Sequence, residues 1–396
     1  MKRIKERLKN NKKTIAFLVM AVVFLFCLKI YFHNESEPPV LTLRMVSENE
    51  IIRSGGENVD LSLYAVASAL YDATEGRFLY GENENESLPM ASTTKIMTCI
   101  LVLESGCLEE WAEVSSYAAS QPKVRADLRA EERYLVSDLL YSLMLESHND
   151  TAVVLAEHVG GSVEGFAEMM NAKANELGLT DTYFITPNGL DACDEGVVHS
   201  TTACDLAILA AYAMENEAFR EIVQTENYTF LDETGAHAIS VTNANAFLDL
   251  RDGALGIKTG YTDDAGYCFV GASEEEGHLL ISVVLGAGWP PHREYKWEDT
   301  GELMDYARDN FEEECILLPE VMLEYSWGEQ EGYVAGEGYE EMLYLSAFDE
   351  VTVEYFYADE LHLETIPNET VIGWRSICLN GVEIERLPLV FFLKNR

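Results

Sequence analysis

Positive charge is what this sequence has least of. Lysine and arginine number 27 against 69 aspartates and glutamates, a formal net charge of −42. Residues 1–35 hold eight of the basic residues and two of the acidic ones, which leaves 19 basic against 67 acidic in the rest. Such a surface repels phosphate backbones, so no nucleic-acid partner is expected. Proline is sparse at 10 residues, and the 27 glycines follow no triplet period, which excludes collagen-like and Gly/Pro-rich classes. Internal repeats, heptads and low-complexity tracts are missing. Among the eight cysteines (Cys27, Cys99, Cys107, Cys193, Cys204, Cys268, Cys315 and Cys378) no Cys-x-x-Cys pair or Cys/His spacing suggests zinc. No metal and no cofactor is expected. With Cys27 set aside the remainder is odd, so at least one is unpaired within the chain. Most sit in apolar contexts, as in Ile96-Met97-Thr98-Cys99-Ile100, and read as small core hydrophobes.

Long apolar runs are absent with one exception. Seven of the first 13 residues are Lys or Arg, and an uncharged, mainly apolar run follows from Ile15 to Leu28, resuming after Lys29 with Ile30-Tyr31-Phe32. No small-x-small cleavage site follows it. Lys29 can snorkel, so Ile15 to Phe32 just spans a bilayer, with residues 1–13 cytoplasmic and the rest outside. Residues 1–32 are therefore expected to be an uncleaved membrane anchor on an extracytoplasmic protein; a cleaved signal peptide is the alternative.

What is present is enough for two globular units: 396 residues, 48% hydrophobic and 24% charged. Residues 33–58, with Pro38-Pro39 and Gly55-Gly56, read as a tether. Ala65–Tyr71 and Arg77–Tyr80 flank a turn and predict a hairpin. Ser92 to about Glu104, Leu135–Leu145, Asp150–Val159, Ser162–Leu177, Thr201–Met214 and about Glu298–Phe311 predict helices. Gly256–Gly260 predicts a short strand end, and Tyr267–Ala272 with Leu279–Leu285 a second hairpin. After Phe311 the pattern turns β-rich: Val351–Tyr357 alternates, and Asn380-Gly381 joins Ile377-Cys378-Leu379 to Val382-Glu383-Ile384 as a hairpin turn. Residues 59–312 are thus expected to form an α+β domain and residues 313–396 a small all-β domain without a catalytic constellation, a spacer and docking module.

Three short motifs carry chemistry. In Ser92-Thr93-Thr94-Lys95, a helix start places Lys95 one turn beyond Ser92 on the same face. A serine hydroxyl needs a base, and a lysine serves if desolvation and a neighbouring cation lower its pKa. The spacing alone is weak: Ser120-Gln121-Pro122-Lys123 shares it, with proline breaking the run. Ser147-His148-Asn149 lies between two helices, where a polar cap is the plainer role. Lys258-Thr259-Gly260 ends a strand, where Lys supplies a cation, Thr a hydroxyl, and Gly room for a substrate backbone.

In this order and on these elements, the three motifs resemble those of the serine D-alanyl-D-alanine carboxypeptidases, the low-molecular-mass penicillin-binding proteins. Leu88-Pro89-Met90-Ala91-Ser92-Thr93-Thr94-Lys95-Ile96-Met97-Thr98 is similar to the family's nucleophile segment throughout. So are Leu177-Gly178-Leu179-Thr180-Asp181-Thr182, Thr186-Pro187-Asn188-Gly189-Leu190, and Lys258-Thr259-Gly260-Tyr261-Thr262 with Ala265-Gly266-Tyr267-Cys268. The resemblance covers residues 60–312, and more faintly Leu379-Asn380-Gly381 and Leu387-Pro388-Leu389-Val390. It implies a penicillin-binding, β-lactamase-like transpeptidase fold: an antiparallel sheet flanked by helices, plus a helical subdomain. It also implies roles. Ser92 is the acylated nucleophile and Lys95 takes its proton. Ser147 relays a proton to the leaving amine, and Asn149 holds the substrate amide. Lys258 and Thr259 hold the terminal carboxylate, and the N–H groups of Ser92 and Tyr261, beside Gly260, form the oxyanion hole. The implied substrate is the peptidoglycan stem peptide, trimmed of its last D-alanine in a way that limits wall cross-linking; β-lactams acylate the same serine.

The chain also departs from the pattern. His148 stands where the family often has a small residue. Val124-Arg125-Ala126-Asp127-Leu128-Arg129 replaces a stretch that usually contains glycine. His199, before Ser200-Thr201, suggests a structural hydrogen bond rather than catalysis. No Glu-x-x-Leu-Asn segment supplies a β-lactamase's deacylation base. An endopeptidase of the same fold and a non-catalytic wall-binding scaffold remain as alternatives; a scaffold has no need of Lys95 or Lys258.

Overall fold

The computed structural model describes residues 45–53, 61–327, 330–358 and 366–394. The expected anchor, residues 1–32, lies outside them, as does most of the expected tether. Among the described residues no helix is long and apolar enough to cross a membrane. The described residues divide into two compact units, one of residues 61–314 with 342–348, the other of 45–53, 315–327, 330–341, 349–358 and 366–394.

The larger unit is built on a five-stranded antiparallel sheet in the order Ala254–Thr262, Gly266–Glu275, His278–Leu285, Ala67–Asp72, Arg77–Glu82. Both expected hairpins are present. Alternation along the strands sends side chains to two faces, and both faces are buried. Ala67, Ala69, Val270, Ala272, Ile281 and Val283 pack on one side with Ile96, Ile100, Leu139, Leu143 and Val153 from the helices. Leu70, Phe269, Leu280 and Val284 pack on the other with Leu303, Met304 and Ala307 of the Tyr295–Asn310 helix. This is the α+β layering that the sequence predicts.

The helical part follows the sequence closely because the local signals agree. Ser162 and Thr202 accept hydrogen bonds from Gly165 N and Asp205 N and so cap Val163–Glu176 and Ala203–Met214. Gly161, at φ 74°, ends the Asn149–Gly160 helix in the left-handed region. A hairpin of Asn227–Leu231 and Ala238–Thr242 is an addition that the sequence reading lacks.

The smaller unit is a six-stranded antiparallel sheet in the order Met45–Arg53, Val351–Ala358, Thr370–Leu379, Val382–Leu393, Gln330–Gly336, Val321–Trp327. Asn380 and Gly381, at φ 51° and 79°, make the hairpin turn expected of that pair. Two expectations need correction. Residues 33–58 are not simply a tether: Met45–Arg53 pairs with Val351–Ala358, from Met45 opposite Ala358 to Arg53 opposite Val351. Residues 313–396 are not one module either, since Met342–Phe348 belong to the larger unit. There the Tyr344 ring lies 3.8 Å from that of His278, and the Tyr344 carbonyl accepts from Arg77.

Candidate active site

The site starts with a turn. Ala91–Thr94 is a 3-10 helix that runs directly into the Lys95–Glu104 α-helix, so Ser92 does not open the α-helix as the sequence suggests. The consequence for spacing is favourable, because residues i and i+3 eclipse in a 3-10 turn. Ala91 enters it at φ 47°. The Thr93 and Thr94 hydroxyls donate back to Met90 O at 2.6 Å and Ala91 O at 2.8 Å, fixing the turn from inside.

Lys95 is fully buried, and its Nζ has three neighbours: Ser92 Oγ at 2.9 Å, Asn149 Oδ1 at 3.0 Å and Asn188 O at 2.6 Å. A neutral amine has two hydrogens and one lone pair. Asn149 Oδ1 and Asn188 O are pure acceptors and take the hydrogens. The lone pair is then directed at the Ser92 hydroxyl, the arrangement of a base. Burial, the nearby Lys258 cation and, in opposition, the Asp150 carboxylate set the Lys95 pKa well below its usual value.

Lys258, Thr259, Gly260 and Tyr261 lie within the nine-residue edge strand Ala254–Thr262, not at the end of a short one. A Cβ on Gly260 would sit 2.9 Å from Ser92 N and 3.0 Å from Ala91 Cβ. The glycine therefore makes room for the nucleophile turn, not for a substrate backbone as the sequence suggested. Thr259, Gly260 and Tyr261 line a cleft of about 360 Å³ with Ser92, Ser147 and Asn149. Lys258 stands behind that wall, 2% exposed, donating to Thr259 O at 2.9 Å; burial pushes its pKa down to about 7.

Ser147 sits at φ 66°, and its buried Oγ has no hydrogen-bond partner. An unsatisfied hydroxyl in a cleft wall is a costly feature that a bound substrate relieves. Asn149 is more heavily engaged than expected. Besides accepting from Lys95, it donates from Nδ2 to Pro122 O at 3.3 Å and from its backbone N to Val124 O at 2.8 Å. The glycine-free stretch after Val124 is anchored by Asp150, whose carboxylate accepts from Ala126 N at 2.9 Å and Leu128 N at 3.1 Å. Asp127 takes φ 58° there, a conformation that glycine adopts more easily.

His199 buttresses the nucleophile turn. Its Nδ1 accepts from Ile185 N at 2.8 Å, so Nε2 carries the hydrogen and donates to Thr94 Oγ1 at 2.8 Å. Burial lowers its pKa to about 4, keeping the ring neutral. Other participants were not read from the sequence. Asn188 acts through its carbonyl, and its Nδ2 donates to Gln121 Oε1 at 3.2 Å. Gln121, Pro122 and Val124 belong to or adjoin the segment that looked like a spurious serine–lysine match. Lys296 lines the cleft beside Tyr267 and Trp297, 4.8 Å and 4.5 Å from their ring centroids, and burial with nearby Arg293 lowers its pKa to about 8. Among the described residues no group of side chains is arranged to hold a metal ion.

Comparison with known proteins identifies the family. The family model described as D-alanyl-D-alanine carboxypeptidase matches residues 56–288. The D-alanyl-D-alanine carboxypeptidase DacF of Bacillus subtilis is 33% identical over 266 residues, 66% of this chain and 66% of that protein, just under two thirds of its length. The structure of penicillin-binding protein D2 from Listeria monocytogenes, in its cefotaxime-bound form, is 31% identical with a TM-score of 0.55, covering 63% of this chain and 98% of that one. The D-alanyl-D-alanine carboxypeptidase DacD of Francisella tularensis shares the fold at 23% identity, with a TM-score of 0.68 over 88% of this chain and 97% of that one.

Proposed function

The chain belongs to the D-alanyl-D-alanine carboxypeptidase family, and from that membership and the geometry of the cleft we propose that it removes the terminal D-alanine of peptidoglycan stem peptides through an acyl-enzyme on Ser92. The observation that carries this is the buried Lys95 amine, whose Nζ lies 2.9 Å from Ser92 Oγ and against the acceptors Asn149 Oδ1 and Asn188 O, so that in its neutral form those acceptors take its two hydrogens and its lone pair is left for Ser92.

The proposed steps combine the positions of the side chains with the roles that the resemblance implies. Ser92 Oγ attacks the penultimate D-alanine carbonyl and gives its proton to Lys95 Nζ. The developing oxyanion lies between Ser92 N and the backbone of the edge strand at Tyr261. Thr259 presents its hydroxyl to the terminal carboxylate, and the Lys258 charge acts on it from behind the strand. The proton passes from Lys95 through the unpartnered Ser147 hydroxyl to the departing amine, and D-alanine leaves. Water then hydrolyses the ester, with Lys95 again taking a proton. Asn149 serves mainly to aim Lys95. A β-lactam acylates Ser92 by the same attack.

The proposal extends to location. The basic segment 1–13 and the apolar run from Ile15 to Phe32 support an N-terminal anchor that holds the cleft on the extracytoplasmic face of the membrane, close to growing wall. Control of cross-linking there would bear on cell shape.

The test incubates residues 36–396 with a diacetyl-Lys-D-Ala-D-Ala peptide, wild type beside Ser92→Ala, recording D-alanine release and the mass shift from a penicillin. Release and a covalent adduct, both lost in Ser92→Ala, are expected. An adduct without release would replace the carboxypeptidase by an endopeptidase. Neither signal from a folded chain would refute catalysis altogether.

A further inference from the structure

The turn that carries Ser147 and Asn149 has a residue between them with no part in the steps above. His148 is 4% exposed and bonded at both ring nitrogens. Nε2 lies 3.1 Å from Glu146 Oε2, and Nδ1 lies 2.9 Å from Ser142 Oγ. The far oxygen of Glu146 accepts from Thr242 N at 2.9 Å, and Ser142 Oγ lies 2.9 Å from Thr151 Oγ1. The ring thus links the Ala238–Thr242 strand to the helices on either side of the turn, Val136–Leu145 and Asn149–Gly160.

We propose that His148 is a positioning residue that holds the Ser147–Asn149 turn in its working geometry while its ring is neutral, and releases it on protonation. The inference rests on the carboxypeptidase reading only for its catalytic consequence.

The contacts give the neutral form a complete set of bonds. A carboxylate only accepts, so Nε2 carries a hydrogen. In the neutral ring Nδ1 accepts from the Ser142 hydroxyl, whose oxygen is then open to a hydrogen from Thr151. A second proton, on Nδ1, meets the oxygen that was donating to it. Ser142 must turn its hydrogen towards Thr151, and Thr151 must find another acceptor. The charged groups acting on the ring are Glu146 on its own turn, Asp150 on the following helix and Lys95 from the Lys95–Glu104 helix; the Ala238–Thr242 strand contributes the Thr242 N–H. Burial, the largest influence, and Lys95 disfavour the cation, while the two carboxylates favour it; the balance lowers the pKa from the usual 6.5.

The turn is sensitive to this loss because Ser147 is held at φ 66°, outside the conformations a serine prefers. Such a residue persists only when its surroundings over-determine it. Its flanks are fixed by His148 N donating to Ser142 O at 3.4 Å and Asn149 N donating to Val124 O at 2.8 Å. Upsetting the Nδ1–Ser142 bond loosens the first of these, because both involve Ser142. Both Ser147 Oγ and Asn149 Oδ1, and through the latter Lys95, then lose their alignment.

Two measurements test this. Histidine-labelled wild type is titrated by NMR from about pH 8 to about pH 4.5, assigned with His148→Gln. A neutral Nε2–H ring with a midpoint below that of an exposed histidine is expected, falling further in Glu146→Gln. An Nδ1–H ring, or a midpoint above 6.5, overturns the proposal whether or not the chain cleaves peptide. The second measurement is the pH profile of kcat/KM for D-alanine release. Below the midpoint the wild type is expected to lose about tenfold more per pH unit than His148→Gln, whose amide cannot titrate. Acid limbs of equal slope overturn the proposal even if the ring titrates as expected. If wild type releases no D-alanine, the carboxypeptidase reading fails by itself, and the same slopes are read from the rate of penicillin acylation.

Discussion

Two buried lysines define the cleft's electrostatics, and they differ in what they need to be. Lys95 must be neutral to accept a proton; Lys258 must be charged to attract a carboxylate. Burial lowers both, Lys258 to about 7 and Lys95 well below its usual value, and the Lys258 cation lowers Lys95 further. For Lys258 the folded pKa lies below the unfolded one, so the cost of burying its charge is full below about pH 7 and fades as pH rises from there towards 10.5. In the free protein the attraction fades as pH rises through about 7, where the folded side chain gives up its charge. The expected outcome is that preference for a peptide ending in a free carboxylate over its C-terminal amide declines as pH rises through about 7. The ratio of the two kcat/KM values between about pH 6 and pH 9 measures it; a constant ratio would leave recognition to Thr259 alone. At this scale the sequence was informative where a side chain's identity carries the role. Ser92, Lys95, Ser147, Asn149, Lys258 and Thr259, which the resemblance singled out, lie together at the cleft. Asn188 was not legible as a participant because it acts through a carbonyl that every residue possesses. Gln121 was hidden because its neighbourhood was judged on Ser120 and Lys123.

At the scale of elements, the site depends on one edge strand lying against one turn. Gly260 permits the approach, and a methyl group there would meet Ser92 N at 2.9 Å and Thr93 N at 3.2 Å, both backbone atoms. Neither can yield without moving the turn that carries Ser92 N, the oxyanion donor of the proposed mechanism. Gly260→Ala is expected to slow Ser92 acylation by about 10²-fold or more, the loss typical of a misplaced oxyanion donor, while circular dichroism stays unchanged. Acylation within a few-fold of wild type would mean that strand and turn are not coupled. Elements with strong local signals were legible: the capped helices, the two sheet hairpins and the Asn380-Gly381 turn. Met45–Arg53 was not, because Ser47-Glu48-Asn49-Glu50 has no apolar face of its own and is ordered as a strand by pairing with residues 351–358. The Asn227–Leu231 and Ala238–Thr242 hairpin did leave a signal. Phe230, Ile239 and Val241 are buried while Thr229, Leu231, Ser240 and Thr242 are exposed, a period of two across a turn containing Gly235.

At the scale of the whole molecule, the chain leaves the larger unit at residue 314 and returns to it for Met342–Phe348. Composition cannot reveal such a return, because Leu343, Tyr344 and Leu345 fit a β-rich segment equally well wherever it packs. The return is structural for the larger unit. Tyr344 is 3% exposed, its ring lies 3.8 Å from His278 and 5.4 Å from Phe311, and its carbonyl accepts from Arg77. His278 in turn lies 2.8 Å from the fully buried Asp72 carboxylate, where the neighbouring inner strands His278–Leu285 and Ala67–Asp72 begin and end. A chain ending at residue 312 therefore keeps every cleft residue but loses a wall of the second core. Removing one buried aromatic costs about 3 kcal/mol, or about 6–12 °C in a unit of this size. The truncated chain is expected to form the penicillin adduct at Ser92 when cold, yet to melt at least that much below the full chain. Tyr344→Ala in the full chain should reproduce a large part of the drop, which separates the loss of this side chain from the loss of the six-stranded sheet. Equal melting temperatures for Tyr344→Ala and wild type would show that the returning segment is carried by the larger unit without supporting it.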